Sequence, residues 1–193
     1  MAMGLRIGPD SGQPGLNTHP DPGPSNRHNR HAIPPEGLEV KLDPIDRRIL
    51  DSLQRDADVQ VADLAQRAGT STSSCWRRIQ RLREAGVITR QVALVDPRKV
   101  NVGVTVFVAV KTSRHTSEWF ERFRATAESI PEVVEFYRMS GDIDYLLRVV
   151  VPDIAAYDSV YKRLTRGTEL ADVSSSFAMQ ELKFTTALPL DYA

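Results

Sequence analysis

The hydrophobic pattern of this chain changes character near Val102, and that change limits the folds open to it. Between Leu42 and Ala85 apolar residues recur at intervals of three and four, the spacing of amphipathic helices. From Val102 onward they fall in short alternating runs rich in β-branched residues, broken by two further helical stretches. A helical unit followed by an α/β unit is therefore expected, an α+β chain in two parts.

The helical part opens on "LDPIDRRILDSLQRDADV", where Asp43 is placed to cap a helix and Pro44 to occupy its first position. Ile45, Ile49, Leu50 and Leu53 then share one face. In "VADLAQRAG", Val61, Leu64, Ala65 and Ala68 face inward, and Gly69 can take the left-handed conformation that ends a helix. A third helix follows a short turn, capped by Ser71 or Ser73 and stopped at Gly86. Two helices joined by a short glycine-bearing turn form the helix-turn-helix pattern. "VITRQVALVD" alternates well enough for a short strand or hairpin, which would add a wing.

In the second part, "VGVTVFVAVK", "VVEFYRMS", "DYLLRVVV" and "DVSSSFAMQEL" are the strands. "SEWFERFRATAESI" and "PDIAAYDSVYKRL" are the helices, the first presenting Trp119, Phe120, Phe123 and Ala127 to the core. The order βαββαβ is that of a ferredoxin-like sandwich. Two helices cover one face of such a sheet. The other stays bare, with Val104, Val106, Phe107 or their alternates on it, and implies a sheet-to-sheet dimer. The boundaries read as a tail over residues 1–40, a winged helix-turn-helix over 41–92, a linker strand over 93–102 and the sandwich over 103–190.

Residues 1–40 hold seven of the twelve prolines, six of the eleven glycines and three of the four histidines, too little apolar surface to offset ordering entropy. His19, His28 and His31 match no metal-ligand spacing, so no metal is expected there. One cysteine excludes an intrachain disulfide framework and fits a reducing cytoplasm. No apolar run is long enough for a membrane span or a signal peptide. With a formal net charge of zero, any nucleic-acid role must come from a local patch.

That patch lies in "TSTSSCWRRIQRL". Cys75, Ile79 and Leu82 fall on the core face, which makes Cys75 an inert apolar group. Arg77, Arg78 and Arg81 are expected to project away, with Arg83 and Arg90 extending the patch. Thr70, Ser71, Thr72, Ser73 and Ser74 crowd the start of the helix, where backbone N–H groups are free. Small hydroxyl residues that allow close approach, followed by guanidinium groups, suit a recognition helix entering the major groove of double-stranded DNA. Trp76 is expected at the edge of the core.

On these stretches the chain resembles the Lrp/AsnC, or feast/famine, family of transcription regulators. "LDPIDRRILDSLQRDADV" resembles the family's opening helix, "CWRRIQRLREAGVI" its recognition helix, and "SGDIDYLLRV" the turn of its effector domain. "CWRRIQRL", "TSEWF" and "SSFAMQELKFTTALPL" are closer to the branch with the cysteine-responsive detoxification activator than to the leucine-responsive regulator. The resemblance implies dimers formed through the sheets, assembly to octamers that bend or wrap DNA, and a small effector, usually an amino acid, bound between dimers. It places Met139, Gly141, Asp142 and Asp144 at the effector turn, with Asp144 the foremost ligand contact, and Ser174, Ser175 and Ser176 on a strand lining the same pocket. The chain departs from the family in its longer N-terminal segment, in Gln60 where a Ser cap is common, and in "TRGTELADV", which lacks the usual Pro-Gly.

An amino acid needs an anion for its ammonium and donors for its carboxylate. Asp142 or Asp144 can supply the first, and backbone N–H groups beside Gly141 the second. The same Gly-Asp pair is also an ordinary turn whose carboxylate satisfies its own backbone. No triad, metal-ligand spacing or phosphate loop is present, His115 reads as a loop residue, and neither enzyme activity nor a cofactor is expected. Two alternatives to an effector-responsive regulator stay open: an architectural DNA-binding protein whose turn acids are purely structural, and an enzyme or metabolic regulatory subunit built on the ferredoxin-like domain, with the helix-turn-helix only a protein contact.

Overall fold

The computed structural model describes residues 40–167 and 169–193. The 1–39 segment, with its three histidines, lies outside them. Helix α1, Pro44–Arg55, begins at a reciprocal cap: the Asp43 carboxylate accepts from the Ile45 and Asp46 N–H groups, and Asp46 reaches back to the Asp43 N–H. Helix α2, Val61–Ala68, starts at Gln60 with no side-chain cap and ends on Gly69 at φ 71°, ψ 44°. Helix α3, Thr72–Glu84, is capped by Ser71, whose hydroxyl accepts from Ser74 N–H. Gly86, at φ 72°, turns the chain away.

Ile49, Leu64, Ala65, Ala68, Cys75 and Ile79 form one buried cluster of this helical unit. Leu42, Leu50 and Leu82 form a second, against which Leu190 packs. The Gln54 amide binds both the N–H and the carbonyl of Leu188, at 2.7 and 3.3 Å. Leu188 and Leu190, late in the chain, are thus tied to the helical unit.

The expected wing strand and linker strand are not formed in the monomer. Residues 87–96 are in no ladder, and Val92, Leu94 and Val95 are exposed. A strand needs a neighbour for its backbone groups, and among the described residues none lies alongside. Residues 97–101 are turns: Asp96 caps the Arg98 N–H, and Asn101 sits at φ 58°.

The sandwich holds β1 (Val104–Lys111), α4 (Ser117–Ser129), β2 (Val133–Arg138), β3 (Tyr145–Val151), α5 (Ile154–Thr165) and β4 (Asp172–Phe177). The sheet order is β2-β3-β1-β4, with every neighbouring pair antiparallel. Val106, Val108 and Val110 of β1, with Tyr145, Leu147, Val149 and Val151 of β3, pack against Trp119, Phe123 and Ala127 of α4 and Tyr157, Val160 and Leu164 of α5. The other face carries Thr105, Phe107 and Ala109 of β1 beside Leu146, Arg148 and Val150 of β3. Phe107 is 40% exposed there. Val104 and Val106, expected as candidates for the bare face, belong to the helix-covered one, because the pleat alternates from buried Val106.

Candidate nucleic-acid interface and effector turn

The start of α3 is exposed at Ser71, Thr72 and Ser73, while Thr70 and Ser74 are half-buried. Ser71 Oγ serves the cap and lies 3.3 Å from Ser73 Oγ, and the Thr70 N–H is bonded back to Ala65 O. Thr72 and Ser73 are therefore the hydroxyls that face outward. Arg77 is exposed on the same side. Cys75 is fully buried, and burial pushes its thiol pKa up, which suits its packing role.

Arg78 and Arg81 do not project into solvent as free cations. Asp46 of α1 is fully buried, and its carboxylate accepts from Arg78 Nη1 at 2.8 Å and from Arg81 Nη2 at 2.5 Å. Arg78 also meets Asp43 at 2.5 Å. The Asp46 N–H and then the Arg78 guanidinium hold the Asp43 carboxyl well down, to about 2, and Asp43 in turn raises the Arg78 pKa. On a helix advancing about 100° per residue, positions 78 and 81 lie on the flank between the core face and the outer face. The crossing of α1 and α3 turns that flank toward the two aspartates. Asp46 escaped sequence reading, although the two acids in "LDPID" three residues apart were the available signal. Trp76 also differs from expectation. It is 50% exposed and outside every core cluster, because the position after Cys75 rotates off the packed face.

At the turn between β2 and β3, Gly141 adopts φ 118°, closed to most side chains. The Asp144 backbone closes the turn: its N–H donates to Val110 O at 3.0 Å and its carbonyl accepts from Met139 N at 2.8 Å. The Asp144 carboxylate accepts from the Thr112 N–H at 2.8 Å and stands 3.9 Å from His115 Nδ1. Asp144 is thus held by the β1–α4 loop, whereas Asp142, Met139 and Ser140 are exposed. The three serines do not form one hydroxyl patch. Ser174 and Ser176 lie opposite Ala109 and Phe107 on the bare face, while Ser175 points to the helices and bonds the Tyr157 hydroxyl. With β1 between β4 and the turn, one chain does not gather the serines and aspartates into a single pocket. The loop before β4 is anchored to α4, where the Trp119 indole N–H donates to Glu169 O at 3.1 Å, and to the β1–α4 loop, where Arg114 pairs with Glu169 at 2.8 Å.

A capped, hydroxyl-rich third helix with an exposed arginine, on a three-helix unit joined to a βαββαβ sandwich, is an arrangement suited to contact with DNA. Residues 42–89 match the winged helix-turn-helix DNA-binding model and residues 105–188 the Lrp/AsnC ligand binding domain. The chain belongs to the Lrp/AsnC family of transcriptional regulators. It is 46% identical to the DNA-binding transcriptional activator DecR of Escherichia coli over 78% of this chain and 99% of that protein. An AsnC family transcriptional regulator from Agrobacterium tumefaciens, solved as a crystal structure, shares 61% identity at a TM-score of 0.76, covering 78% of this chain and 99% of its own. A transcriptional regulator from Neisseria meningitidis, solved as its L-Met complex, shares 34% identity at a TM-score of 0.75, covering 79% and 99%.

Proposed function

We propose that this protein is an amino-acid-responsive regulator. Its dimer sets two copies of α3 about one DNA turn apart on a palindromic site. Thr72, Ser73 and Arg77 make the direct DNA contacts. Thr70, Ser71 and Ser74 shape the helix start, and Arg78 and Arg81 hold α3 against α1 with residual phosphate contact from the half-exposed Arg81. Dimers form through the bare sheet face and assemble further, to octamers, with the effector bound where dimers meet at residues 139–144. The reading is carried by one observation: the outward side of the capped α3 presents Arg77 with the exposed Thr72 and Ser73, while Arg78 and Arg81 pair with the buried Asp46.

The Neisseria protein's bound L-Met supports an amino acid as the ligand class. The geometry favours exposed Asp142, rather than Asp144, as the anion for its ammonium. Ser174 and Ser176 join the pocket only from a second subunit, which suits a site built between copies. A cytoplasmic location fits a DNA partner and a buried lone cysteine, and among the described residues no helix is long and apolar enough to cross a membrane.

Thermal-shift measurement of the full chain against each of the twenty amino acids tests the effector, since a ligand stabilises the folded state according to its occupancy. A rise with one or a few amino acids that is lost in Asp142→Ala supports the reading. No rise with any of them, alongside intact DNA binding, would favour an architectural protein.

A further inference from the structure

Trp76 is the only aromatic residue between positions 40 and 92. A lone indole in a small helical unit would ordinarily fill its core, since aromatic rings bring the largest apolar area to bury. Here the core is closed without it, by Ile49, Leu64, Ala65, Ala68, Cys75 and Ile79. Trp76 is 50% exposed. Among the described residues it makes no hydrogen bond and no ring contact.

Its surroundings are those of a surface shaped for a polyanion. On α3 the residues three and four positions away that share its side are Thr72, Ser73 and Gln80, with Arg77 adjacent. The first turn of α3 holds no acidic residue, and Glu84, at the far end, is the helix's only carboxylate. The opposite flank, with Arg78 and Arg81, is tied to Asp46, so Trp76 stands on the part of the helix left for a partner. An apolar ring among hydroxyl, amide and guanidinium groups matches the major groove, where polar base edges are interrupted by the 5-methyl group of thymine.

We propose that Trp76 is a sequence-reading residue whose ring packs on a thymine 5-methyl group in each half-site. This rests on the DNA-binding role proposed for α3. Trp76 then supplies specificity, while Arg77 and the hydroxyls supply affinity.

The test first selects a binding duplex from a random library with the full chain. Each thymine of that duplex is then replaced in turn by deoxyuridine, which removes the methyl group and nothing else. For the wild type, at least one such replacement per half-site should weaken binding fivefold or more. Trp76→Ala should weaken binding to the parent duplex by a similar factor and respond less than twofold to the same replacement. Trp76→Phe, which keeps a ring, should retain part of the response and guards against a folding defect in the alanine variant. The proposal is overturned if the wild type is indifferent to every methyl group, or if Trp76→Ala keeps the wild-type methyl response. If the wild type enriches no duplex at all, the DNA-binding role of α3 falls and takes the proposal with it. Enrichment with an unchanged response in Trp76→Ala removes the proposal alone.

Discussion

Asp46→Ala should be among the most damaging single changes in the helical unit. The carboxylate has no solvent exposure and accepts from three groups: Arg78 Nη1, Arg81 Nη2 and the Asp43 N–H. Removing one partner of a buried ion pair costs about 3–5 kcal/mol, mostly because the other partner is stranded. Two features place this site at the low end. Arg81 is half-exposed and regains water, and Arg78 keeps its second bond to Asp43. The expected loss is therefore about 3 kcal/mol. Arg78→Ala should cost nearly as much, since of its two guanidinium partners Asp46 then keeps only the half-exposed outer one, whereas Arg81→Ala should cost about 1 kcal/mol. Urea denaturation followed by far-UV circular dichroism measures each loss as a shift in midpoint at unchanged slope. A double-mutant cycle of Asp46→Ala with Arg78→Ala should return a coupling of at least 1 kcal/mol. An Asp46→Ala protein within about 0.5 kcal/mol of wild type, or a cycle that closes without coupling, would refute the view that these arginines are structural.

Arg77→Ala should leave the urea midpoint within about 0.5 kcal/mol of wild type. It should weaken duplex binding by about 1–3 kcal/mol and flatten the salt dependence by about one unit of slope, measured by fluorescence anisotropy across a salt series. The Asp43 carboxyl is depressed on folding from its ordinary 3.8 to about 2, so its contribution to stability is present above pH 3.8 and lost as the pH falls toward 2. Asp43→Asn should remove that part of the acid sensitivity in a pH series of melting curves. Asp144→Ala takes the acceptor from the buried Thr112 N–H and should cost about 1–3 kcal/mol of stability, while exposed Asp142→Ala should be near neutral in thermal unfolding without ligand. Phe107→Glu puts a charge at the centre of the bare sheet face and should shift the protein to a smaller species in sedimentation analysis.

Much of this protein is determined within a few residues along its chain. The Asp43–Pro44 start of α1, the Ser71 cap of α3, Gly69 and Gly86 as stops, and Gly141 in the turn all stand where the sequence places them. Each of these signals acts over at most four positions. The change from helical to alternating period gives the two units for the same reason, because burial of one face is a local pattern. What the sequence left open depends on partners far along the chain. Arg78 and Arg81 sit 32 and 35 residues from Asp46, and only the crossing of α1 over α3 brings both guanidinium groups onto its buried carboxylate. Pleating sends Ser175 one way and its two neighbours the other, but only the register of β4 against β1 and the position of the helices decide which way is the core. The segment after α3 alternates like a strand yet forms none in the monomer, since a strand is defined by its neighbour's hydrogen bonds as much as by its own side chains.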